Sequence, residues 1–204
     1  MNSDRFAMVN LTAGELNALV KNVGGEDAVR RINRGELEVR ELEKPGLLLC
    51  VAPNVIVPGG ERLNAAEAFA VGNHADGVRI YSVDRNFREH FLGKTEEDVP
   101  EVTVAAYELM DDSRDPAIIT ALGGEEYAEL TLAHVRELMR RTQAGEKSPL
   151  QSGVNVLYAR DENGVMWAVN AYWGAGVRDW GVHACSVGHP DPWYHGGRVL
   201  SRSC

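Results

Sequence analysis

The run His183-Ala-Cys185-Ser-Val-Gly-His189-Pro-Asp191-Pro-Trp-Tyr-His195 is the densest collection of chemically competent side chains in this sequence. It brings imidazole, thiol and carboxylate groups close together in the chain, and zinc takes such nitrogen, sulfur and oxygen ligands in a tetrahedron. His183 and Cys185 stand two apart and so share one face of a strand. His189, Asp191 and His195 follow in a Pro- and Gly-containing loop that could fold back over them. The candidate zinc ligands are therefore His183, Cys185, His189, Asp191 and His195. Paired short-loop spacings such as Cys-x-x-Cys are absent, so sheet-edge histidines and a structural thiol are the simpler account. The same cluster could instead serve a hydrolase, with Cys185 as nucleophile and a neighbouring histidine as its base. Against this, side chains two apart on a strand stand roughly 7 Å from one another. No helix start follows Cys185 to lower its pKa.

A second feature is aromatic. All four tryptophans, Trp167, Trp173, Trp180 and Trp193, fall in the last segment, with Tyr158, Tyr172 and Tyr194 among them. Over 165–173, Val165, Trp167, Val169, Ala171 and Trp173 alternate with Met166, Ala168, Asn170 and Tyr172, so both strand faces are fairly apolar. A sheet covered on both sides explains this as core composition. A partly exposed sheet would make it a binding surface, with Trp167, Tyr172, Trp173 and Trp180 as the contact residues. The function expected on this reading is a non-enzymatic protein-binding or accessory module, its partner another protein or a second copy of the chain. The zinc protein or hydrolase centred on residues 183–195 is the alternative, and no other cofactor is implied.

Other motifs carry less. Asp111-Asp-Ser113-Arg-Asp115 begins like a calcium loop, but Pro116 stands where glycine is needed and Leu122 where the bidentate acid belongs, so it reads as a turn capping the next segment. Arg30, Arg31 and Arg34 on the second of two short helices suggest a helix-turn-helix, yet no basic flank extends the footprint. Phosphate-binding glycine loops, nucleophile elbows and two-histidine metalloprotease helices are absent.

The elements that must position these residues read as α+β. Thr12-Ala-Gly-Glu15 has capping-box spacing. Leu16, Leu19, Val20 and Val23 then form one helical stripe, stopped by Gly24-Gly25, and Val29 and Ile32 mark a second helix. Together they predict an amino-terminal helical hairpin. Pro45-Gly46 precedes an apolar strand over 47–51, continued by 55–57 beyond Pro53-Asn54. A short helix is expected over 64–71, a strand over 78–83, a helix capped by Asp84 and running to about Phe91, and a strand over 99–109. Glu125 to about Thr142 reads as one long helix, with an acidic start and a basic end. Beyond a linker at 144–153, strands over 154–160 and 165–173 flank the Asn163-Gly164 turn, 177–187 follows, and 198–201 adds a fourth strand to an antiparallel meander. The long helix is expected to pack on that meander. One domain spanning 1–204 is expected, subdivided if at all into 1–46, 47–147 and 148–204.

Composition narrows the partners. The net charge of −9 divides as −1 over 1–46, −8 over 47–147 and 0 over 148–204. No basic surface tracks a phosphate backbone, so nucleic acid and anionic membrane are disfavoured. The longest uninterrupted apolar run, 47–52, is strand-sized, no secretory leader is visible, and three scattered cysteines suit a reducing compartment. The expectation is a cytoplasmic protein.

Four stretches resemble a family of uncharacterised bacterial proteins from candidate-phylum, environmental genomes. They are Leu11-Thr-Ala-Gly-Glu-Leu-Asn-Ala-Leu-Val-Lys with the following Gly-Gly-Glu; Arg79-Ile-Tyr-Ser-Val-Asp-Arg-Asn86 with Phe91-Leu-Gly93; Val156-Leu-Tyr-Ala-Arg-Asp-Glu-Asn-Gly164 with Ala171-Tyr-Trp173; and Arg198-Val-Leu-Ser201. The resemblance implies a bacterial origin and a Tyr- and Trp-rich carboxyl-terminal meander. It implies no activity and does not include the 183–195 cluster.

Overall fold

The computed structural model describes residues 12–22, 25–36 and 46–203, and of Glu15, Leu16, Leu19 and Asn22 the backbone alone. The expected Thr12–Glu15 capping box, the stripe through Leu16, Leu19 and Val23, the stop at Gly24, the break at Pro45 and Cys204 thus lie outside the described residues or side chains. The chain divides into two compact units, Met1–Lys44 and Pro45–Cys204. The 47–147 and 148–204 segments belong to the same unit.

In the first unit, α1 (Ala13–Asn22) precedes α2 (Glu26–Asn33). Gly25 at φ 89° turns the chain between them, a conformation that costs glycine little. Its N–H bonds Val20 O at 2.7 Å. Arg30 pairs with Glu26, and Arg31 and Arg34 both reach Glu36, so the arginines considered for phosphate contact have carboxylate partners.

The second unit is α+β and mostly sheet. Its strands are β1 (Leu48–Val57), β2 (Gly60–Asn64), β3 (Gly72–Asn73), β4 (Arg79–Val83), β5 (Thr95–Val99), β6 (Val102–Leu109), β7 (Asn155–Arg160), β8 (Met166–Gly174), β9 (Asp179–Ser186) and β10 (Arg198–Arg202). The helices are α3 (Ala65–Ala68), α4 (Arg85–Phe91), α5 (Asp115–Ala121), α6 (Glu125–Ala128) and α7 (Leu132–Gln143). Eight strands form one sheet in the order β1-β6-β10-β7-β8-β9-β4-β3, while β2 and β5 pair separately. The 7-8-9 meander is antiparallel as expected, through the turn at Gly164 (φ 78°). The fourth strand does not extend it: β10 inserts between β6 and β7, parallel to β7. β9 likewise runs parallel to β4. The edge strand β1 passes through Pro53 and Asn54 (φ 55°) with two register shifts, which blunt an otherwise long exposed edge.

The sheet is apolar on both faces because helices pack on both. One face carries Val104, Ala106, Leu157, Ala159, Val169, Ala171, Val182, Ala184 and Leu200 against α3, α4 and α7. The other carries Leu109, Val156, Tyr158, Met166, Ala168 and Val199 against α5 and α6.

This two-sided cover overturns the single helix expected over 125–142. Ala128 of α6 packs on one face, and Leu132, Val135, Leu138 and Met139 of α7 pack on the opposite one. A continuous helix cannot do both, so the chain unwinds at Glu129 (ψ 126°) and Leu130 N–H bonds Tyr158 O at 2.8 Å. Thr131 then restarts the helix in a capping box with His134. Glu96, 7% exposed, adds its carboxylate to the α7 N-terminus, accepting from Leu132 N and Ala133 N at 3.0 and 2.9 Å. Elsewhere Asp84 caps α4 through Phe87 N, as its position implied, and Asn64 caps α3 through Glu67 N. Among the described residues no helix is long and apolar enough to cross a membrane.

Candidate functional site

β9 alternates Trp180, Val182 and Ala184 toward the α7 side with Gly181, His183 and Cys185 toward the α5 side. Beyond Ser186 the chain folds back onto residues 109–115. Trp193 and Ser113 exchange both backbone hydrogen bonds, at 2.8 and 2.9 Å, His195 N–H reaches Asp112 Oδ1 at 2.8 Å, and Gly196 N–H reaches Leu109 O at 2.7 Å. This stitching fixes the loop against the start of α5.

Asp115 stands at that start, 3% exposed. Trp193 Nε1–H and Tyr158 Oη–H both donate to its Oδ1, at 2.7 and 2.9 Å. Burial raises the carboxyl pKa above its ordinary value, and the two donors only partly offset that. Burial, and then the charge of Asp115, push the Tyr158 phenol far up, so it stays a neutral donor. A cavity of about 220 Å³ opens beside this group, lined by Asp115, Cys185, His189, Asp191, Pro192 and Trp193.

The loop therefore gathers Cys185, His189 and Asp191, and leaves two of the five sequence candidates out. His183 is exposed on β9 opposite Asn170, and His195 lines a separate cavity of about 390 Å³ with Gln151, Val154 and Tyr194. Among the described residues no three His, Cys, Asp or Glu side chains converge to hold a metal ion. Burial, followed by the charges of Asp84 and Asp115, pushes the Cys185 thiol above its ordinary pKa. His189 Nδ1 accepts from Asp191 N at 3.2 Å. Asp115 is the residue that reading the sequence as a turn cap did not single out; its Asp-Pro position signalled only a helix start.

Trp193 apart, the tryptophans lie on the opposite, α7 side of the sheet. Trp180 is fully buried, its ring centroid 4.9 Å from that of Trp173 at 58°. It lies in the core and presents no surface. Trp167 and Trp173 are half-buried and pack against the same core. Trp167 lies over His90, with ring centroids 4.1 Å apart, and donates Nε1–H to Asp161 Oδ2.

Tyr81 and Tyr172 are the exposed aromatics of this sheet. On the α5 face the apolar cover reaches β6, β10, β7 and β8 but includes no residue of β4 or β9 strand. There Tyr172 is 37% and Tyr81 43% exposed, with exposed His183 nearby on β9. Tyr172 pairs across the ladder with Gly181, and Gly181 with Ser82. Tyr81, at a register shift in β4, lies over that glycine: a Cβ there would stand 2.9 Å from Tyr81 Oη and 3.1 Å from Ser82 Oγ. The result is an uncovered patch of two phenols, an imidazole and a glycine floor, continuous along β9 with Cys185 and the Asp115 cavity.

No protein-family model, curated protein or solved structure matches the chain.

Proposed function

We propose that the Pro45–Cys204 unit is a non-enzymatic binding module that engages a protein partner through the uncovered part of its α5-side sheet face. The observation that carries this reading is the incomplete cover over β4 and β9, where Tyr81, Tyr172 and His183 stay exposed around Gly181. Tyrosine-rich, charge-poor surface is typical of interface centres, since a rigid amphipathic ring gives large contact area at small entropic cost. The tryptophans support the sheet, and Tyr172 is the contact residue retained from the sequence reading. The thiol held protonated and the absence of converging metal ligands among the described residues favour binding over hydrolysis. The net charge of −9 favours a partner with a basic surface over nucleic acid. Cys50 and Cys185 are free thiols, which suits the cytoplasm as the compartment.

The test is a photo-crosslinking amino acid placed in turn at positions 81, 172 and 126 of the full chain in the producing cell. Adducts at 81 and 172 that are absent at 126, and lost from position 172 when His183→Ala is added, support the surface. A product of twice the chain mass identifies self-association as its form. Equal labelling at all three positions, or none at 81 and 172, rejects the reading.

A further inference from the structure

On the other side of the sheet, Arg136 of α7 is a buried cation with half of its fork in use. Its side chain is 9% exposed. Nη2–H donates to Asp76 Oδ1 at 2.9 Å, while Nη1 is buried without a hydrogen-bond partner. Asp76 Oδ1 is shared, because Val78 N–H also donates to it at 3.1 Å. Burial outweighs the attraction of Asp76 and lowers the guanidinium pKa from its ordinary value. A guanidinium offers donors in a planar fork suited to a two-oxygen acceptor, and leaving a charged donor unmade in the interior is costly.

Arg136 lines two cavities, of about 380 and 180 Å³, that also share Arg62, Leu63 and Asp76. Arg62 is exposed on β2, and its side chain has no hydrogen bond or ion pair among the described residues. Two further carboxylates are close: Glu67 lines the larger cavity, and Glu97 stands across the ladder from Arg62. Arg140 is held by Glu137 and Glu146, Glu137 also holds Arg141, and Glu67 is exposed on α3. His74 shares Nε2 with Ala70 O. Arg136 and Arg62 thus share both cavities with Asp76, which is 37% exposed on the turn closed by His74 N–H to Val78 O, while the already paired Glu137 lines the smaller.

We propose that Arg136 and Arg62 form an oxyanion-binding site for a small molecule carrying a phosphate or carboxylate group. One ligand oxygen satisfies Arg136 Nη1 and another meets Arg62. Nη1 is shielded from water, so entry requires the Asp76 turn to shift, and the ligand then competes with the Asp76 carboxylate for the same guanidinium. A purely structural clamp, in which Arg136 only tethers the 74–78 turn, makes no such demand on Arg62 and gains nothing when Asp76 loses its charge.

Calorimetric titration and thermal unfolding of the full chain, with inorganic phosphate and separately with succinate at ionic strength matched by potassium chloride, test this. Either anion is expected to bind and to raise the unfolding midpoint above the chloride control. A response to phosphate alone names a phosphate ligand, and one to succinate alone a carboxylate ligand. Arg62→Ala, on the surface and harmless to folding, should weaken binding about tenfold, the loss of one charge-assisted contact. Asp76→Asn, which removes the competing carboxylate, should tighten it. The proposal is overturned if neither anion exceeds chloride, if Arg62→Ala binds as the wild type does, or if Asp76→Asn brings no gain.

Discussion

Trp193 donates its indole N–H to Asp115 Oδ1 at 2.7 Å across 78 positions of sequence, tying the 187–197 loop to the first turn of α5. Tyr158 Oη, from β7 beneath, donates to the same oxygen. The contact is an acceptor problem first and a charge problem second. Asp115→Asn keeps an amide oxygen for both donors and removes the charge that burial penalises. Its unfolding free energy at neutral pH should lie within about 1 kcal/mol of wild type or above it, whereas Asp115→Ala strands two buried donors and should cost about 2–3 kcal/mol. The raised carboxyl makes its contribution to stability fully present below the ordinary value of 3.8, and lost as pH rises through the folded value. Urea denaturation across acidic pH should show this slope in wild type and not in Asp115→Asn.

His134 predicts a slope of opposite sign. It is 1% exposed, with Nε2 on Pro100 O at 2.9 Å and Nδ1 on Thr131, and burial lowers its pKa from 6.5. The unfolded chain binds the proton first, so stability is present above 6.5 and lost as pH falls through the folded value. Denaturation midpoints should fall on acidification through that interval. The fall should be smaller in His134→Gln, which is less stable at neutral pH.

The restart of α7 rests on caps that can be removed singly. Thr131→Ala should cost about 1 kcal/mol. Glu96→Ala should cost more, about 2–3 kcal/mol, because Leu132 N–H, Ala133 N–H and Lys94 Nζ all lose a charged acceptor. Chemical denaturation of each variant checks the order.

Gly181→Ala separates surface from core. The added methyl meets the movable ends of Tyr81 and Ser82, so Tyr81 swings off the strand while Trp180 and Val182 stay packed beneath. The unfolding midpoint should shift little, and cross-linking from position 172 should fall.

Thiol reactivity should follow environment. Cys50 is exposed, while Cys185 is half-buried with its pKa raised. Peptide mapping after limited iodoacetamide treatment at neutral pH should find Cys50 alkylated well before Cys185. Prior modification of Cys185 would remove the argument against a nucleophile.

The parts that could be read from sequence were those encoded locally. Asp84 and Phe87 lie one turn apart, and Asn163-Gly164 makes a tight turn by itself, so α4 and the β7–β8 hairpin were legible. The break at 129–131 was hidden because Ala128, Leu132, Val135 and Met139 keep helical spacing while belonging to opposite faces of the sheet. Its cap also uses histidine where glutamate is the familiar partner. The alternation on β8 showed two apolar faces without showing that α3, α4 and α7 share the cover of one while α5 and α6 cover only part of the other. Cys185, His189 and Asp191 were legible as neighbours in sequence. Asp115, which completes their cavity, comes from another stretch of chain, and nothing local distinguished it from an ordinary cap.

The position of β10 dictates an order of events at the ribosome. β6 and β7 leave the exit tunnel well before Arg198–Arg202, yet each keeps one ladder edge open until that strand threads between them. Until then the chain has two strand edges with no partner of its own, one on β6 and one on β7. Both are templates for pairing with neighbouring chains on a polysome. Completion of this sheet is therefore late and non-local, and the interval before β10 arrives is when nascent-chain chaperones have the most to protect.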